Sequence, residues 1–158
     1  MPNARASSFI DAAKRLAPRI QASAEEIEQS RRLPLPLVEA MAQAGLFRLW
    51  IPRALGGEEA DPMTLVRVVE EVSRADGAAG WCMAIGGEYG AFGGYLPADA
   101  AREIYGSDPH VRTAGRPEMP SSNMVAIALP ADGHWPVVVS IPPGSSAAAG
   151  SWTVSNHA

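Results

Sequence analysis

A single cysteine, Cys82, leaves the 158-residue chain without an intrachain disulfide and fits a reducing compartment, with the cytoplasm as the expected location. Histidine is nearly as scarce. His110, His134 and His157 stand far apart, with no Cys/His or His/acid spacing, so no metal site is expected. Neither charge sign dominates: 13 Lys and Arg against 17 Asp and Glu give a net charge of -4, with no basic run to follow a phosphate backbone. Nucleic acid is thereby excluded as an expected partner. Residues 1–13 carry charges and lack the unbroken apolar stretch of a signal peptide. The one long uncharged run, Ala78 to Leu96, is interrupted by Glu88 and by Gly80, Gly86, Gly87, Gly90, Gly93 and Gly94. With so few large side chains it predicts a buried central helix, not a membrane span.

What is present suits one globular unit: 47% apolar and 19% charged residues, in a chain long enough to bury a core. Phe9, Ala13, Leu16, Ile20, Ala24 and Ile27 recur in steps of three and four and predict one helical stripe over Ala4 to Arg31. Pro18 lies inside that pattern and is expected to kink or split the helix. Pro36 suits the first turn of a short second helix that buries Leu37, Val38, Met41 and Ala42 and stops at Gly45. Leu46 to Pro52 is too short and too apolar for an amphipathic helix, and predicts an extended buried segment. After the turn Leu55-Gly56-Gly57, the pair Asp61-Pro62 supplies a cap and a first-turn proline. The helix it opens is expected to bury Leu65, Val66, Val68, Val69 and Val72 and to pair Glu70 with Arg74 one turn on. Asp76-Gly77 punctuates it, the glycine-rich helix follows, and Pro97 opens a last helix through Ile104 and Tyr105.

Beyond Glu118 the character changes, and Asp132 is the only acidic or basic side chain left. Met124 to Leu129 and Val137 to Ile141 are the two candidate strands, although neither alternates cleanly. About 45 residues are too few to close the edges of a β-domain. The expected class is therefore mainly α: an orthogonal or up-down bundle of about five helices over residues 1–109. Residues 110–158 are then a remnant β-domain or a disordered tail.

Three blocks carry a family resemblance. They are Ala44-Gly45-Leu46-Phe47-Arg48-Leu49-Trp50-Ile51-Pro52, then Leu55-Gly56-Gly57 with Asp61-Pro62, then Val69-Glu70-Glu71-Val72-Ser73-Arg74-Ala75-Asp76-Gly77-Ala78-Ala79-Gly80-Trp81. In this order they resemble the N-terminal helical domain of acyl-CoA dehydrogenases. Gly80-Trp81 and Tyr95-Leu96-Pro97 are similar to the branch of flavin-dependent aromatic monooxygenases. The resemblance implies a three-domain flavoprotein holding FAD or FMN, subunits that associate as dimers or tetramers, and a small-molecule substrate in the full-length relative. It implies that the N-terminal domain walls the substrate pocket while catalytic residues lie in a later domain, so this chain is expected to carry no catalytic residue. Trp81 is the residue placed at that wall; its ordinary reading is a core aromatic.

The resemblance also implies a middle domain starting near His110, with a segment of the form VxGRWxFxSG. Back-translated from Gly133 with permitted codons and read one base later, the chain spells Val-Thr-Gly-Arg-Trp-Ser-Phe-Pro-Ser. A truncated or frameshifted product after about residue 115–133 is the corresponding expectation. Other motifs carry less. Gly86-Gly87-Glu88-Tyr89-Gly90 lacks the preceding strand and the spacing of a dinucleotide fingerprint, so those glycines are expected to allow close helix packing. Ser145-Ser146 lacks a nucleophile elbow, and Cys82 is expected to be an inert core thiol. The alternative to an oxidoreductase fragment is a non-catalytic helical module acting through self-association or as a partner subunit.

Overall fold

A computed structural model of the chain describes residues 4–106, 111–118, 123–129, 137–141 and 153–155. The mainly helical class holds, with six α-helices among the described residues where about five were expected. Helix α1 (Ala4–Ala22) runs through Pro18 without a break, and α2 (Ala24–Ser30) begins after Ser23. The expected split therefore falls five residues later. Pro18 and Lys14 lie on the exposed face, so the Lys14 carbonyl that the proline leaves unpaired faces water. At Ser23 the hydroxyl instead donates back to the Arg19 carbonyl at 3.0 Å, which competes with the helical ladder. Ala13, Ile20 and Ile27 enter the core as the stripe requires, with Phe9 and Leu16 packed against it.

Helix α3 (Leu35–Gln43) buries Leu37, Met41 and Ala42. Gly45 then takes φ +75, its N–H donating to Ala42 O at 2.8 Å while Leu46 N–H reaches Met41 O at 3.1 Å. These two bonds close the helix as a left-handed glycine permits. Residues 46–52 are buried as predicted at Leu46, Phe47, Leu49 and Ile51, but they form successive turns and not an extended strand. Their backbone groups pair across to a returning segment, with Ala60 N–H on Leu49 O (2.7 Å) and Glu59 N–H on Ile51 O (3.0 Å). Arg48 fastens this loop, its guanidinium donating to Leu55 O (2.8 Å), Gly56 O (3.3 Å) and Tyr105 O (3.2 Å).

Helix α4 (Pro62–Ala75) starts at Asp61, whose carboxylate accepts from Thr64 N–H (3.0 Å) and Thr64 Oγ1–H (2.6 Å). Leu65, Val68 and Val72 are buried, whereas Val66 is exposed and Val69 half-buried. Val69 still packs against the core, so of the five expected positions only Val66 falls outside the stripe, because each step turns the helix by about 100°. Helix α5 (Gly77–Glu88) is capped by Asp76, which accepts from Ala79 N–H at 2.7 Å. It crosses close to α4 at Gly80, where an added Cβ would lie 2.8 Å from Ser73 Cβ and 2.9 Å from Ser73 Cα. The expected buried central helix is buried along one face only: Ala79, Gly80, Met83 and Gly87 are buried, but Trp81 and Cys82 are exposed. It ends at twelve residues and passes into a 3-10 turn, Tyr89–Tyr95. Among the described residues no helix is long and apolar enough to cross a membrane. Helix α6 (Ala98–Ala101) continues as a π-turn, Arg102–Gly106, whose Ile104 and Tyr105 join Ile51 and Val111 in a second small core.

Four strands follow, β1 (Arg112–Glu118), β2 (Asn123–Leu129), β3 (Val137–Ile141) and β4 (Thr153–Ser155), antiparallel in the order β1-β2-β3-β4. The register sets Arg112 opposite Leu129, Val125 opposite Ser140 and Val139 opposite Val154. Both candidate strands are present, and β1 and β4 are additions. With β1 and β4 unpaired to each other among the described residues, the meander keeps two open edges. β1 packs on α5 and joins the sheet to the helices. Residues 142–152 of the expected remnant or tail, and the Gly133 to Pro136 segment, lie outside the described residues.

Candidate functional site

The Asp76 cap and the Gly80 contact fix the rotation of α5 about its axis. Gly80 faces Ser73, so the next residues turn away from α4, and Trp81, Cys82, Ile85 and Gly86 form a stripe of i, i+1, i+4 and i+5 along one side. That stripe is one wall of a groove of about 770 Å³. The facing wall comes from the α2–α3 connection and α3, through Leu33, Pro34, Leu35 and Val38, and Phe47 lies at the floor. Gly86 makes room for the Phe47 ring, whose edge lies 3.0 Å from where a Cβ would stand. The end of α2 brings Glu26, Ser30, Arg31 and Arg32, and β1 brings Arg112 and Thr113. The result is a mainly apolar trough with Arg31, Arg32 and Arg112 among its lining residues.

Trp81 is 68% exposed, so it is not the core aromatic of its ordinary reading. Cys82 is exposed as well, which corrects its expected place in the core. Partial burial raises its thiol pKa, and the Asp76 carboxylate raises it further, so the thiol form prevails at neutral pH. Tyr105, almost wholly buried, donates to Tyr89 O at 3.0 Å. Burial pushes its phenol up, against an opposing hydrogen bond with Thr113. Glu70 and Glu71 both hold Arg74, at 2.6 and 2.7 Å, on the solvated face, as the helix spacing anticipated for Glu70. Among the described residues no group of three His, Cys, Asp or Glu stands close enough to hold a metal ion. His110, His134 and His157 lie outside those residues.

FAD and FMN, the cofactors implied by the resemblance, carry phosphate, which a helix start can hold where its N–H groups are free and no carboxylate faces them. The starts of α4 and α5 do not fit, because Asp61 and Asp76 already occupy their N–H groups with negative charge. The start of α3 does not fit either: Pro34 and Pro36 have no N–H, and Leu37 and Val38 donate to Pro34 O. None of these three helix starts is a phosphate cradle.

Sequence reasoning singled out Trp81 but missed the residues around it. Phe47 and Ile85 read as ordinary core positions. Arg31 reads as the end of a helix, and nothing local marks Arg32 or Arg112 as lining the same groove.

The family model for the acyl-CoA dehydrogenase N-terminal domain matches residues 5–97. The indole-3-acetate monooxygenase of Acinetobacter baumannii is 32% identical over 97 residues, which is 61% of this chain and 25% of that protein. The oxygenase subunit HsaA, a flavin-dependent monooxygenase of Rhodococcus jostii, gives the same identity and coverage. The crystal structure of the HsaA monooxygenase from M. tuberculosis superposes with a TM-score of 0.67 at 22% identity, over 80% of this chain and 45% of that one. XiaF from Streptomyces, solved in complex with FADH2 and glycerol, gives 0.66 at 19% identity over 87% and 42%. At these identities the structural likeness speaks to the fold. The chain spans about a quarter of the length of those two curated relatives. The match over residues 5–97, more than half of the chain, leads to one conclusion: the chain belongs to the acyl-CoA dehydrogenase family, whose N-terminal domain it carries.

Proposed function

We propose that this chain supplies the N-terminal wall of the substrate pocket in a flavin-dependent monooxygenase acting on a small aromatic substrate. The observation that carries the reading is Trp81, a large aromatic side chain held 68% exposed beside an apolar groove inside the family domain. Aromatic faces of this kind stack ring-shaped ligands and exclude water from them. Relatives named as monooxygenases of indole-3-acetate support the substrate class, and flavin dependence in HsaA supports the cofactor. Flavin, when bound, supplies the oxygen chemistry. The described residues of this chain bind and orient: Trp81 and Ile85 form one side of the slot, Leu35 and Val38 the other, and Phe47 closes the floor. In this reading residues 1–109 are the pocket wall, and the strands after residue 110 begin the middle domain. The exposed thiol of Cys82 favours the cytoplasm.

Titrating the isotope-labelled chain with 2-naphthol tests the proposal. Shifts should centre on the Trp81 indole N–H and on Ile85, and Trp81→Ala should abolish them while leaving the melting temperature close to wild type. Loss of thermal stability with unchanged 2-naphthol shifts would refute the wall role.

A second reading, self-association of the helical module, is favoured by Met63 and Val66, which expose 58% and 54% of their surface on α4. Light scattering over a concentration series decides it: a monomer at all concentrations rules self-association out.

A further inference from the structure

The groove-lining residues of α5 differ in size along two neighbouring rows. Trp81 and Ile85, one turn apart, are large, whereas Cys82 and Gly86, one turn apart beside them, are small. The small row leaves a slot along the helix. It opens at Cys82, which is exposed, and ends at Gly86, against which the Phe47 ring lies. Four residues of helix rise about 6 Å, so the slot is short.

Phe47 is held at the end of that slot from two sides. A Cβ at Gly86 would lie 3.0 Å from both Cδ1 and Cε1 of the ring, so the ring edge fills the space that a side chain at position 86 would need. One position on, a Cβ at Gly87 would stand 3.8 Å from Phe47 Cα and 3.6 Å from Leu46 O, so α5 also passes close over the backbone there. The rest of the ring belongs to the main core, and Phe47 is only 3% exposed. A close-packed interior leaves such a ring little room to step aside.

We infer that Phe47, seated on Gly86, is the depth stop of the slot and a specificity-determining residue, fixing how far a flat ring sinks beside Trp81. The inference rests on the substrate-wall reading above and adds a size limit set by one pair of residues. Affinity follows the apolar area removed from water, so a ligand gains up to the Phe47 edge and not beyond it.

Ligand fluorescence polarisation on the intact chain, with 2-naphthol and with 2-anthrol, which has one more ring in line, provides the test. Wild type should bind the two within about threefold of each other, because the additional ring stays in water. Phe47→Leu should raise the preference for 2-anthrol to about tenfold, since the emptied floor takes in part of that ring. Adding Gly86→Ala to Phe47→Leu should bring the preference back toward the wild-type ratio, its methyl refilling the space. Gly86→Ala alone should weaken 2-naphthol severalfold, because the ring edge must then move into the slot. A purely structural role for Phe47 would change the melting temperature and leave the ratio alone. A ratio unchanged in a cooperatively melting Phe47→Leu protein overturns the inference while the aromatic wall stands. So does 2-naphthol bound as tightly by Gly86→Ala as by wild type. Failure of wild type to bind either ligand overturns the inference and the wall reading together.

Discussion

Replacing Gly80 with alanine tests the packing that orients the groove. In an open helix the change stabilises, since alanine exceeds glycine in helix propensity by about 1 kcal/mol. Here the new methyl would lie 2.8 Å from Ser73 Cβ and 2.9 Å from Ser73 Cα. The second atom belongs to the backbone and cannot rotate aside, so α4 and α5 must separate. Overpacking of this kind costs about 1–3 kcal/mol, and the backbone contact argues for the upper end. The net expectation is a loss of about 2 kcal/mol, or a melting temperature lower by roughly 4–8 °C. Gly77→Ala is the internal control, since nothing lies within 4 Å of a Cβ there, and it should hold or raise stability. Combining Gly80→Ala with Ser73→Gly should recover part of the loss, with a coupling of about 1 kcal/mol. Thermal melts by far-ultraviolet circular dichroism measure all five proteins, the single Ser73→Gly variant included to close the cycle. If Gly80→Ala melted at or above the wild-type temperature, the close crossing of α4 and α5, and with it the outward orientation of Trp81, would be wrong.

Arg48→Met should destabilise by about 1–2 kcal/mol in urea melts, because it leaves the carbonyls of Leu55, Gly56 and Tyr105 without their charged donor. Asp61→Asn keeps a helix cap but removes a titration. The Asp61 carboxyl is held below its ordinary pKa first by the Thr64 hydroxyl and then by the Thr64 N–H. Its contribution is therefore present above about pH 4 and lost as pH falls through the lower, folded-state value. Melting temperatures measured from neutral pH down to about pH 2 should fall more steeply for wild type than for Asp61→Asn; parallel curves would count against the cap. Cys82 should react with iodoacetamide more slowly at neutral pH than an unstructured cysteine peptide, its rate rising only at a pH above the ordinary thiol range. Fast labelling at neutral pH would contradict the raised thiol.

Much of the helical scaffold was legible because its signals are local. Gly45 stops α3 through its own backbone freedom, Asp61 and Asp76 cap helices three residues ahead, and Ala13, Ile20 and Ile27 declare their face by spacing. Misreadings arose where the outcome depends on neighbours. Pro18 was expected to kink or split the helix; the helix is not split there, and the carbonyl the proline frees lies on the exposed face. Residues 46–52 looked like an extended segment, but cross-pairing with residues 58–60 folds them into turns. Strand β1, with Gly115 and Pro117 inside it, has no strand pattern of its own and is defined by its pairing with β2.

The sequence alone determined the order of the helices, with their caps and stops, because these follow from backbone preferences and short-range periodicity, while the family was legible in the resemblance of three sequence blocks. The site was settled only by tertiary structure. The α4–α5 crossing turns Trp81 outward from a helix whose composition reads as buried all round. The packing of β1 on α5 carries Arg112 to a groove shared with Arg31, eighty-one positions earlier in the chain. Side-chain chemistry is written locally, but the meeting of distant side chains depends on how helices and strands pack.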